Sequence, residues 1–141
     1  MNDPMTAIDR DTEHPTEGRW TVVLIWFLRG VAGLSMVKGL YHWSVVIGVG
    51  DGPGSSFEAS PVAFQAATIF FAVIDLVAAV GLWLAAAWGG VVWLTAAISM
   101  AAVELFFPQI YGGASLIVTM ELVAILAYVG LAFMATRERP E

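Results

Sequence analysis

Residues 60–108 read SPVAFQAATIFFAVIDLVAAVGLWLAAAWGGVVWLTAAISMAAVELFFP, with Asp75 and Glu104 as the only charged side chains. As one helix, residues 61–107 would run for about 70 Å, more than twice the roughly 30 Å of a bilayer's hydrocarbon core. The pair Gly89-Gly90 divides the stretch in two. One run starts at Ser60, suited to cap a helix, with Pro61 suited to the first helical position, and continues to Trp88. The next goes from Val91 to Phe107 and stops at Pro108.

Working outward, Pro108-Gln-Ile-Tyr-Gly-Gly113 predicts a turn, followed by an apolar run to Thr136. On the other side, Trp20 to about Val49 is apolar until Gly48, Gly50, Gly52, Pro53 and Gly54 interrupt it. The reading is an all-α polytopic membrane protein with four transmembrane helices in an antiparallel bundle. The helices are expected at about 20–49, 61–88, 91–107 and 114–136. Residues 1–19 are expected to form a disordered cytoplasmic tail and residues 137–141 a second, short cytoplasmic tail.

The composition agrees. Hydrophobic residues make up 59% of 141, charged residues 13%, and mean hydropathy is +0.79. Seven of the eighteen charged residues lie in residues 1–19 and four in 137–141, leaving seven for the 117 between. A water-soluble fold of this length has too little interior to hide so much apolar sequence. With no cysteine, disulfide and thiol redox chemistry are excluded. Two histidines cannot by themselves make a metal centre, so no metal and no cofactor is expected. A net charge of −6 argues against nucleic acid as a partner.

Lysine and arginine set orientation. Arg10 and Arg19 precede the first span, Arg137 and Arg139 follow the last, and the segments at 50–60 and 108–113 have neither residue. Both termini are therefore expected in the cytoplasm, with the chain in a cell inner membrane. Trp20, Trp88 and Trp93 are expected at the inner boundary, and Tyr41, Trp43, Phe106, Phe107 and Tyr111 near the outer one.

Five charged residues and one histidine interrupt the runs. A charge at the bilayer centre costs at least about 2.5–3.5 kcal/mol, so such groups normally face the protein interior and pair. At about 1.5 Å per residue, Arg29 and Asp75 lie near mid-membrane and are expected to form a buried structural pair. Lys38, His42, Glu104 and Glu121 lie further out and are expected to form an outer-leaflet polar cluster, the candidate ligand or proton site. Two cations against three carboxylates leave one negative charge, which a proton on a carboxyl or on His42 would neutralise. Arg29 and Lys38 are nine residues apart, on opposite sides of an ideal helix. Both layers then face one bundle only if the first helix bends, at Gly39 for example, or if Lys38 snorkels to the interface. His42, next to Trp43, is expected as an interfacial histidine in preference to a proton shuttle. Ala72, Ala79, Ala101 and Ala124 lie three or four positions from the acids, as a tight interior requires, and Ser35-x-x-x-Gly39 permits close helix approach. No nucleophile has a base at reach, so no catalytic residue is assigned and an enzyme is not expected.

Leu28-Arg-Gly-Val-Ala-Gly33 with Lys38-Gly39 resembles the opening helix of the DoxX-like membrane proteins, and Phe71 to Leu84 is similar to their second helix. Lys38-Gly-Leu-Tyr-His-Trp43, Phe71 to Leu84 and Glu104-Leu-Phe-Phe-Pro-Gln-Ile-Tyr-Gly-Gly113 more closely resemble an uncharacterised bacterial family of small four-helix membrane proteins. The closer resemblance implies the fold and no activity. The DoxX-like one implies sulfur or disulfide redox work through cysteines or a partner oxidoreductase, or quinone-linked anchoring; this chain has no cysteine. The expected role is a non-enzymatic accessory or scaffold bundle, with membrane lipids and a homo-oligomer or larger membrane complex as partners. The alternative is a binding or transport bundle for a lipid headgroup, a quinone or a proton-coupled solute at the outer cluster.

Overall fold

A computed structural model describes residues 18–50, 56–112 and 115–138. Apart from Gly18 and Arg19, the N-terminal tail lies outside the described residues. Four helices are long and apolar enough to cross a membrane: α1 (Arg19–Val46), α2 (Val62–Trp83), α3 (Ala87–Phe106) and α4 (Ser115–Arg137). A short 3-10 turn, Phe57–Ala59, precedes α2, and a one-turn helix, Pro108–Tyr111, follows α3. The described residues include no strand.

Each helix end has a local cause. The backbone N–H of Trp20, in the first turn of α1, donates to Glu138 Oε2 at 2.8 Å. A carboxylate there satisfies an orphan donor and complements the helix dipole. It also ties the start of α1 to the end of α4, so both ends of the bundle emerge on one side. α1 stops where Gly48 takes φ 74°, and the Val49 N–H bonds back to Ser44 O at 2.9 Å. Ser60 does not cap α2; Pro61 takes the N-cap position, and Ser60 closes the 3-10 turn before it. The segment before α2 is held by Gln65, whose Nε2 donates to the carbonyls of Ser60 at 2.7 Å and Glu58 at 3.1 Å.

The turn expected at Gly89-Gly90 lies earlier, at Leu84–Ala86, with Ala85 at φ 50°. α2 accordingly ends at Trp83, and both glycines belong to the first turn of α3. Gly89 is buried where the two helices touch, and Gly90 is buried against Tyr128 of α4. A Cβ on Gly81 would lie 2.5 Å from the Gly89 Cα, and one on Gly89 would run into the backbone of Gly81 and Leu82. Glycine here serves close approach of two helices, and alanine makes the turn.

Packing is closest between α1 and α2 and between α2 and α3, while α4 leans on α1 and α3. Alanines fill the tight seams: Ala72, Ala78 and Ala79 are fully buried, with Ala96 and Ala97 nearly so. Gly39 extends the α1–α2 seam, where an added Cβ would meet Leu76 Cγ at 2.8 Å. Trp93 is buried in the cluster of Val31, Ala32, Ala78 and Leu82, with Tyr128 edge-on at 5.8 Å. It is a core residue, contrary to the boundary position expected. The buried face of α2 repeats as Thr68, Phe71, Ala72, Asp75, Ala78, Ala79 and Leu82, at helical spacing. α4 is the least buried; Met120, Val123, Leu126, Val129 and Phe133 are all exposed.

Candidate functional site

Val31, Ser35, Lys38 and His42 follow one face of α1 at helical spacing. The side chain of Lys38 enters the bundle instead of snorkelling outward. Its Nζ is 3.7 Å from Asp75 Oδ1 on α2 and pairs with Glu121 Oε1 on α4. Lysine thus joins three helices at one point. Its side chain is 30% exposed, against 1% for Asp75 and 12% for Glu121. Both Asp75 oxygens and Glu121 Oε2 are buried without a hydrogen-bond partner among the described residues.

The expected Arg29–Asp75 pair does not form. Helical side chains lean toward the N-terminus of their own helix. α1 runs from the termini side outward, so Arg29 leans back toward the termini. α2 runs the other way, so Asp75 leans outward, toward Lys38. The Arg29 guanidinium instead stacks over Trp26 at 5.3 Å and Trp83 at 5.9 Å. No bend in α1 is required, since Arg29 and Lys38 serve different surfaces.

His42 is buried, with the rings of Tyr41, Phe71 and Tyr111 at 5.7, 5.8 and 5.9 Å. It belongs to an aromatic cap at the end of the bundle away from the termini. Tyr111 hydroxyl and Thr68 Oγ1 share a hydrogen bond of 3.2 Å. Burial pushes the Tyr111 phenol above its ordinary value, opposed by the Thr68 bond, so it stays neutral at physiological pH. Glu104, on α3, is buried beside this cap.

A cavity of about 520 Å³ opens between α1, α3 and α4. Lys38, His42, Glu104 and Glu121 all line it, with Tyr41 and Tyr111. Val31, Leu34, Met100, Ile117, Met120 and Ala124 make its apolar part. All four outer residues singled out in the sequence thus share one cavity, and Asp75 supports it through Lys38. Tyr111 and Thr68 were not singled out as site residues. Thr68 stands seven residues before Asp75, on the same helical face, and that spacing could have identified it; the inward turn of Tyr111 depends on the short helix after Pro108.

Among the described residues, no group of three or more His, Asp or Glu is disposed to hold a metal ion. The cavity offers a compact polar wall, rich in carboxylate oxygens, above an apolar slot. Such a surface suits a molecule with a hydrogen-bond-donating or cationic head and an apolar tail. No curated protein and no solved structure matches the chain. The model of a family of unknown function, DUF6163, matches residues 22–139, which include every residue of the cavity, and the chain belongs to that family.

Proposed function

We propose that this membrane protein is a binding bundle for an amphiphilic molecule, taken with its polar head at Lys38, Glu104 and Glu121. The observation that carries this reading is the cavity itself. Polar side chains whose sole task was to lock helices together would form a closed network, whereas these face about 520 Å³ of space continuous with apolar lining. Lys38 already serves two carboxylates, and Glu104 adds a third, so an anionic head would meet repulsion. The head is therefore a donor or a cation.

Full-length protein in a mild detergent, titrated with decylamine, decanol and decanoate, tests this. Decylamine and decanol are expected to raise the melting temperature by about 4–6 °C near ten times their dissociation constants, and decanoate to have no effect. Glu121→Gln and Glu104→Gln should remain folded and lose the discrimination between decylamine and decanoate. Equal stabilisation by all three heads would contradict the reading.

An accessory role, as a homo-oligomer or in a larger membrane complex, is the second reading. The exposed apolar face of α4 favours it, although lipid covers such a face as well. The distribution of lysine and arginine supports placement in an inner membrane with cytoplasmic termini.

A further inference from the structure

We infer that Arg29, Trp26 and Trp83 form a second site, distinct from the outer cavity, that holds a phosphate group at the membrane surface nearest the chain termini. The Nε of Arg29 is buried without a hydrogen-bond partner among the described residues. None of the ion pairs among those residues includes it. The two indole faces hold the guanidinium by their π-clouds but bring no opposite charge. No carboxylate among the described residues pairs with it, so the anion comes from outside the described bundle.

Position and shape say what kind of anion. Trp83 is the last residue of α2, so the guanidinium lies beside the end of that helix and not at the mid-membrane position that its spacing from Trp20 suggests. Trp26 and Trp83 are 65% and 59% exposed, which places the cleft on the lipid-facing side, between α1 and α2. Lipid phosphates lie at this level, and guanidinium matches phosphate oxygens with two parallel N–H donors. Exposed indoles at both sides of the cleft suit the boundary between glycerol and acyl chain. The chemistry is that of a phosphate mono- or diester, supplied by a phospholipid or by a soluble anion.

Native mass spectrometry of the full chain in detergent, with added dioleoylphosphatidylglycerol, dioleoylglycerol or inorganic phosphate, tests the site. Wild type is expected to retain one phosphatidylglycerol and no dioleoylglycerol. Arg29→Gln should reduce retention about tenfold, and Arg29→Lys less, since lysine keeps the charge without the fork. Trp83→Leu, which leaves the charge in place, should weaken retention severalfold. Retention of phosphatidylglycerol assigns the phosphate to lipid, and binding of inorganic phosphate without lipid assigns it to a soluble anion. Equal retention of phosphatidylglycerol and dioleoylglycerol by wild type, which requires no variant, would overturn the inference. So would unchanged retention by folded Arg29→Gln. Stabilisation by decylamine should be the same in Arg29→Gln as in wild type, so the two sites fail or succeed separately.

Discussion

Lys38→Met is expected to destabilise the protein by about 3 kcal/mol, the lower end of the range for breaking a buried ion pair. The lower end applies because the lysine side chain is 30% exposed, so water and lipid headgroups screen part of its charge. Asp75 and Glu121 have no such relief. Both are largely enclosed, and three of their four carboxylate oxygens have no hydrogen-bond partner among the described residues, so Lys38 is the main compensation for their charge. Its removal leaves two carboxylates facing each other across the α1–α2–α4 junction. The combination Lys38→Met, Asp75→Asn, Glu121→Gln is expected to recover most of the loss, because it removes the charges together. Thermal unfolding of the single and triple variants in the same detergent measures the difference. A triple variant no more stable than Lys38→Met would mean that the three groups do not act as a unit.

Gly89→Val is expected to cost about 3 kcal/mol or more, at the upper end for overpacking. The obstacle decides the size. A Cβ at Gly89 meets the backbone of Gly81 and Leu82, which cannot rotate aside, so relief requires α2 and α3 to separate close to their turn. Gly90→Ala should be milder, since its Cβ meets only the end of Tyr128, with the hydroxyl at 3.2 Å. Gly30→Ala should be neutral or slightly stabilising, because nothing lies within 4 Å of the added atom. Melting temperatures in detergent should follow that order. A Gly89→Val protein as stable as Gly30→Ala would exclude the close helix contact.

The four spans were legible because length and hydropathy determine what crosses a bilayer, and few charges interrupt the runs. The α2–α3 turn was misread because glycine carries two meanings in a membrane helix. At Gly89 and Gly90 it marks contact, while Ala85 takes the left-handed backbone that glycine usually supplies. Depth along the helices groups Lys38, His42, Glu104 and Glu121, and these four line one cavity. The Arg29–Asp75 pairing was not, because counting residues places Cα atoms and not the charged ends of side chains. In antiparallel neighbours those ends lean in opposite directions, which carries Arg29 away from Asp75 and brings Lys38 toward it. The cavity depends on how α4 sits against α1 and α3, and no local pattern in α4 encodes that arrangement.

The central claim, that the outer cluster is a binding wall and not a sealed lock, is tested most directly by photolabelling. An alkylamine with a diazirine in its chain, activated on the full-length protein in detergent, reports where the tail lies. The expected adducts fall on the cavity residues Leu34, Met100, Ile117 and Met120, and excess decylamine suppresses them while decanoate does not. Adducts spread evenly over lipid-facing residues such as Val73, Val77 and Val80 of α2, and insensitive to decylamine, would contradict the account.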